Sequence, residues 1–298
     1  MTDKTNGPHR ETDKHCLCDE VAQDLTQDRG ALLNAVAAEV AQPLNLIAMN
    51  REFLQLHLSH STGSFSREQV AQALAGIDCA TVRLNRLVQN CLDLLACREN
   101  QKQPQFIPVD LGALLQELCA DGAEIRRMCR VELQVDAPAN TLLVMTDRTM
   151  AERILLNLLS NALRACAGGD TVTVTLRTGT DGGEICIADN GCGVPADFAR
   201  QAFEPDVPAW YPNREQFLGG ARLGLQLCGA YCRLLGWQPE MQPLLQGTRV
   251  RLHIPQGALA GDVHFVFHSA AEAARQSMQT RAAVRMELRC VPGLERLE

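Results

Sequence analysis

Aromatic residues make up only 4% of this 298-residue chain, with two tryptophans and two tyrosines. A core so poor in rings must be built from Leu, Val, Ile and Ala, which suits packed helices. No stretch approaches 18 consecutive apolar residues, so no membrane-spanning helix is expected. The opening MTDKTNGPHRETDKHCLCDE is polar throughout and lacks the apolar segment of a secretion signal. A cytoplasmic protein without membrane insertion is the expectation. An excess of positive charge is also missing: the net charge of −7 favours solubility and argues against a nucleic-acid-binding face.

Cysteine, by contrast, is plentiful. The thirteen are odd in number and scattered, and without a secretion signal most are expected reduced and buried as small apolar residues. His15, Cys16 and Cys18 form the one cluster that could bind metal or sense redox state, although a single H-C-x-C near a terminus carries little by itself.

Five segments follow from the pattern. Residues 1–24 read as a flexible N-terminal segment, 25–98 as a helical hairpin, 99–109 as a linker, 110–256 as a mixed second domain and 257–298 as a C-terminal appendage of unassigned role. In the hairpin, small or apolar residues at Leu33, Ala37, Val40, Leu44, Ile47, Leu54 and Leu58 follow an alternation of four and three, interrupted once by Arg51. SHSTGSFSREQ breaks that pattern, and Ser66 followed by Gln69 reads as a capping box opening a second helix. Val70, Leu74, Ile77, Leu84, Val88, Cys91 and Leu95 repeat the seam. Each seam exceeds what one partner covers, so a homodimeric four-helix bundle is expected. Beyond the linker, VELQV, LLVMT, TVTVTL, EICIAD and TRVRLHI read as strands, with helices at 148–167 and about 222–236. The fold class is α+β, with a sheet on one side and helices on the other.

Three segments of the second domain could carry chemistry together. RILLNLLSNALRA places Asn157 and Asn161 one helical turn apart, where carboxamide oxygens suit a Mg²⁺ ion that bridges phosphates. IADNGCGVP ends a strand on Asp189, a carboxylate able to accept from an amino group on a flat heterocycle, with Gly191 and Gly193 allowing close backbone approach. LGGARLGLQLCGAYC is a glycine-rich turn entering a helix, whose free N–H groups suit an anion. Taken singly, each has an ordinary reading as a polar helix face, a turn or a loop.

In this order the segments resemble the catalytic core of two-component sensor histidine kinases. NLLSNALRA resembles that family's N box, DNGCGV its first glycine box, AFEP its F box, GARLGL its second glycine box and GTRVRLHIP its closing strand. RLNRLVQNCLDLLACRENQKQPQFIPVDLGALLQEL resembles the second dimerisation helix and its connection. The resemblance spans about residues 30–255. It implies a dimeric hairpin followed by a histidine-kinase-like ATPase α/β sandwich, with ATP and Mg²⁺ as cofactors. It further implies that Asn157 and Asn161 hold Mg²⁺ and phosphates, Asn161 as the metal ligand, with Arg164 near the phosphates. Asp189 would read the adenine amino group, Gly191 and Gly193 would line the pocket, and Gly220 and Gly224 would shape the lid hinge. Arg222 stands where a glycine is usual, so it either contacts a triphosphate or marks an altered lid. DVPAWYPNREQF (206–217) lacks the family's common Thr-Thr-Lys.

AAEVAQPL resembles the family's A-H-E-I-N-Q-P-L, with Glu39, Gln42, Pro43 and Leu44 in place. Pro43 is then the kink beside the phosphorylation site, and Glu39 stands where the general base would be or is a solvated carboxylate. The phosphoacceptor position holds Ala38, whose methyl group has no lone pair with which to attack a phosphoryl group. The chain has no histidine between His60 and His253, and His57 lies roughly 28 Å along the helix from Ala38. The expectation is a pseudokinase regulator that binds Mg-ATP and engages a response-regulator receiver domain or a partner histidine kinase. Two alternatives stay open: an active kinase with another acceptor or an engineered His→Ala change, and a nucleotide-free interaction scaffold.

Overall fold

A computed structural model describes residues 36–37, 39–56, 67–120, 130–138, 142–179, 182–204 and 222–256. Helix α1 covers residues 39–56, and α2 spans Arg67–Arg98. The two run antiparallel. Near one end a Cβ placed on Gly76 would meet the Asn50 side chain at 2.7 Å, and near the other Glu39 acts electrostatically on Cys91. Pro43 is buried inside α1. Start and end of α2 agree with the expected hairpin. His15, Cys16, Cys18, Ala38, His57, His60 and Ser66 lie outside the described residues, as does the appendage.

The covered face of α2 is not the expected seam. Ala73, Ala80, Leu87 and Leu94, seven residues apart, are buried, whereas Leu74, Val88 and Leu95 are exposed. Ala73, Leu87 and Leu94 each sit one residue before a seam position, or about 100° around the helix. The inward face packs against the second domain, since Leu87 and Leu94 belong to its hydrophobic core.

That domain opens with β1 (Ile107–Asp110), which pairs antiparallel with β3 (Leu143–Thr146), so ordered pairing starts inside the segment read as linker. Asp110 caps α3 (Leu111–Leu118) by accepting from the Gly112 and Ala113 N–H groups. β2 (Glu132–Asp136), β4 (Thr171–Gly179), β5 (Gly182–Asp189), β6 (Gln238–Pro243) and β7 (Thr248–Pro255) form a five-stranded sheet in the order β2-β4-β5-β7-β6. Only β2 and β4 pair in parallel. Alternation along β4, β5 and β7 sends Val172, Val174, Ile185, Ile187, Leu252 and Ile254 to one buried face. Helices α4 (Arg148–Ala165) and α6 (Arg222–Leu235) share the core with that face, and a short α5 (Ala196–Arg200) leads away from β5. Asp147 starts α4 by accepting from the Met150 N–H at 3.0 Å.

Candidate functional site

At the end of β5 a carboxylate is held by backbone alone. Asp189 is 7% exposed, and its Oδ1 accepts from the N–H groups of Gly191 (3.1 Å) and Thr248 (3.2 Å). Oδ2 has no hydrogen-bond partner among the described residues. Burial raises the carboxyl above its ordinary value, the two N–H groups pull it partly back, and Asp170 adds a small push upward. Beside it, Asn190 Oδ1 accepts from the Thr171 N–H at 2.7 Å.

This arrangement requires three backbone segments to touch. A Cβ on Gly191 would lie 2.2 Å from the Ala165 carbonyl oxygen at the end of α4. A Cβ on Gly247, where φ is +86°, would lie 1.9 Å from the carbonyl oxygen of Asp189. Gly193 packs against Gly247, and the Cys192 N–H donates to the Ala165 carbonyl at 3.0 Å. Gly191 and Gly193 therefore stand beside Asp189. Thr248 and Gly247 are contributors the sequence reading missed. Their signal was the Gly-Thr pair opening the closing strand, which reads only as a turn until β7 is known to lie next to β5.

The other half of the site rests on α4. Asn157 is 3% exposed, and Asn161 lies one turn on. The Nδ2 of Asn161 is buried and has no hydrogen-bond partner. Arg164 folds back along its own helix, donating to the Ser160 carbonyl (3.2 Å), to Ser160 Oγ (2.9 Å) and, at 3.4 Å, to Asn161 Oδ1. The first turn of α6 closes over the pair: a Cβ on Gly224 would be 3.0 Å from Asn157 Oδ1. Arg222 begins α6, but its side chain, like Gly220 and the 206–217 lid, is outside the described residues. Glu39 is part-exposed on α1 and, after burial, is the second cause that raises the Cys91 thiol to about 11.

Sequence reasoning also missed what α2 brings. Arg86 Nη2 donates to Asn157 Oδ1 at 2.5 Å and to Ser160 Oγ at 3.3 Å. One turn further, Arg153 of α4 donates to Asn90 Oδ1 (2.8 Å) and pairs with Asp93 (3.2 Å). Asp93 also takes Lys102 at 2.9 Å and the hydroxyl of the fully buried Tyr231. Burial first, and Asp93 after it, push the Tyr231 phenol well above its ordinary range. No spacing rule links Arg86 to a residue 71 positions away.

Chemically, the site offers one unpaired carboxylate oxygen to a flat heterocycle and one unpaired amide N–H₂ to an anion such as a phosphate. The described residues contain no group of three His, Cys, Asp or Glu that could hold a metal, so a Mg²⁺ ion would draw on the carboxamide oxygens and on phosphates. The fit is partial as the protein stands here, since each of those oxygens faces a guanidinium.

Residues 146–258 match the family described as histidine kinase-, DNA gyrase B- and HSP90-like ATPase. The chain is 28% identical over 249 residues to hybrid signal transduction histidine kinase K of Dictyostelium discoideum, covering 76% of this chain and 20% of that protein. It is 32% identical over 195 residues to alginate biosynthesis sensor protein KinB of Pseudomonas aeruginosa, covering 64% and 31% respectively. It thus spans less than a third of the length of either relative. A crystal structure of histidine kinase ThkA in complex with response regulator protein TrrA shares the fold, with a TM-score of 0.57 at 20% identity, covering 84% of this chain and 68% of that one.

Proposed function

Because the chain carries a histidine-kinase-like ATP-binding catalytic core, we propose that it binds Mg-ATP between Asn161 and Asp189 without phosphorylating itself at the usual position. The observation that carries the reading is Asp189. Its Oδ1 is fixed by two backbone N–H groups, which leaves Oδ2 at a strand end for the amino group of adenine. Asn161 Nδ2, otherwise without a partner, donates to a phosphate oxygen. Asn157 and Asn161 hold the Mg²⁺ ion through their carboxamide oxygens, and the ion neutralises phosphate charge. Gly220, Arg222 and Gly224 belong to the lid and its hinge, with Arg164 turning outward to the phosphates.

Ala38 at the acceptor position makes the protein a pseudokinase regulator that acts by contact. The exposed Leu44, Met49 and Leu56 of α1, with Leu74, Val88, Leu92 and Leu95 of α2, form the face on which a second copy completes a four-helix bundle. A receiver domain or a partner kinase then engages that bundle. None of the described helices is long and apolar enough to cross a membrane.

Calorimetry tests the nucleotide reading. Wild type should bind Mg-ATP, and Asp189→Asn should bind it about tenfold or more weakly, since a hydrogen bond to a charged group is worth ~1.5–3 kcal/mol. Equal affinity in the two proteins would refute the assignment of Asp189. Labelled ATP checks the rest: acid-stable or absent label is expected, and acid-labile phosphate on the chain would show that the autokinase reaction survives.

A further inference from the structure

Arg86 is the one charged group that the hairpin places against the paired asparagines among the described residues. Its guanidinium lies where α2, α4 and the first turn of α6 converge: 2.5 Å from Asn157 Oδ1, 3.3 Å from Ser160 Oγ, and 3.8 Å from where a Cβ on Gly224 would stand. Three features make this an uneasy place for a fixed cation. The first turn of a helix presents partial positive charge, which disfavours a cation beside it. Asn157 Oδ1, the oxygen that Arg86 takes, is one of two that a Mg²⁺ ion would use. The other, on Asn161, already faces Arg164 at 3.4 Å. A divalent cation cannot share the buried Asn157 Oδ1 with a guanidinium at hydrogen-bond distance without like-charge repulsion.

We infer that Arg86 is a positioning residue that opposes Mg-ATP: it masks Asn157 while the ATP-binding domain is docked on α2, and it must leave that oxygen when the metal-nucleotide complex enters. This rests on the proposed nucleotide reading and adds a direction to it. Arg86 belongs to the hairpin and Asn157 to the ATP-binding domain, so a single contact links site occupancy to domain docking. By linkage, whatever the contact subtracts from Mg-ATP affinity, Mg-ATP subtracts from docking. Arg153 with Asn90 and Asp93 holds α2 to α4, and Tyr231 with Asp93 holds α2 to α6, both without touching Asn157. They are the part of the interface that the metal-nucleotide complex does not contest.

The test measures Mg-ATP affinity by calorimetry, and amide hydrogen exchange across residues 83–98, in wild type, Arg86→Ala and Arg153→Ala. Arg86→Ala should tighten Mg-ATP binding by about fivefold or more and widen the difference between binding with Mg²⁺ and binding in EDTA. Wild type should exchange faster in α2 once Mg-ATP is added, and Arg86→Ala should exchange at that faster rate from the start. Arg153→Ala should loosen α2 with a smaller gain in affinity. Weaker or unchanged binding in Arg86→Ala would overturn the inference alone, as would an equal gain in Arg153→Ala, which would place the effect in docking as a whole. No binding in any of the three would overturn it together with the nucleotide reading.

Discussion

The two ends of the site are built by different means. At the base end, Asp189 is held by N–H groups of its own domain, and glycines at 191 and 247 let three backbone segments meet. At the proposed phosphate end, Asn157 is even more deeply buried, yet its oxygen is taken by a long side chain from another part of the molecule. A backbone N–H cannot leave without unfolding its strand, whereas a guanidinium moves by rotating χ angles. One end is therefore preorganised and the other conditional.

Substitution at the base end should do the most damage. Gly247→Ala puts a methyl group into the Asp189 carbonyl and asks an L residue to hold a φ of +86°. Overpacking and backbone strain together should cost about 3 kcal/mol or more, read as a fall in Tm with loss of nucleotide binding. A stable, ATP-binding Gly247→Ala protein would show that this end is softer than its geometry implies.

Asp93→Asn comes next, on the conditional side. It removes a charge shared by Arg153, Lys102 and Tyr231. Because Arg153 and Lys102 are partly solvated, the loss should be about 1–3 kcal/mol in chemical denaturation, with nucleotide contacts spared. Gly224→Ala should be milder still. Alanine is worth up to about 1 kcal/mol more than glycine in a helix, while its Cβ would stand 3.0 Å from Asn157 Oδ1 and crowd the Arg86 contact. Stability should hold within about 1 kcal/mol while Mg-ATP affinity changes, which separates the phosphate end from the fold.

How much of this could be read in the sequence follows the same division. At the base end only the local parts were legible, a strand ending in Asp189 and glycines two and four residues on, whereas Gly247 and Thr248, the latter 59 positions away, were not. The helix carrying Asn157 and Asn161 was equally clear, and its end fell within two residues of the expected one. β6 was not legible, since Gln238–Pro243 contains two prolines. It is tolerated because it is an edge strand with one side unpaired. β1 was hidden by Pro108 for the same reason. On α2, spacing identified a helix with an apolar seam but not what covers each face: Leu87 and Leu94 go to the ATP-binding domain, while Val88 and Leu95 stay exposed. Periodicity reports that a face is apolar and says nothing about its partner.

The smallest effect expected is a pH dependence, and its sign separates the two ends. Burial raises the Asp189 carboxyl above its ordinary value of 3.8. Between that value and the raised one, the folded protein binds a proton that the unfolded chain does not. Stability contributed by this group is therefore greater at low pH and declines as pH rises through the window. Under the proposed nucleotide reading, affinity should run the opposite way, because a carboxylate accepts an adenine amino hydrogen better than the protonated acid does. Asp189→Asn should remove both trends, whereas Arg86→Ala, which keeps Asp189 and its two backbone partners, should leave both in place. A pH profile altered by Arg86→Ala would mean that the two ends are coupled electrostatically, and that the preorganised end is not independent of the hairpin.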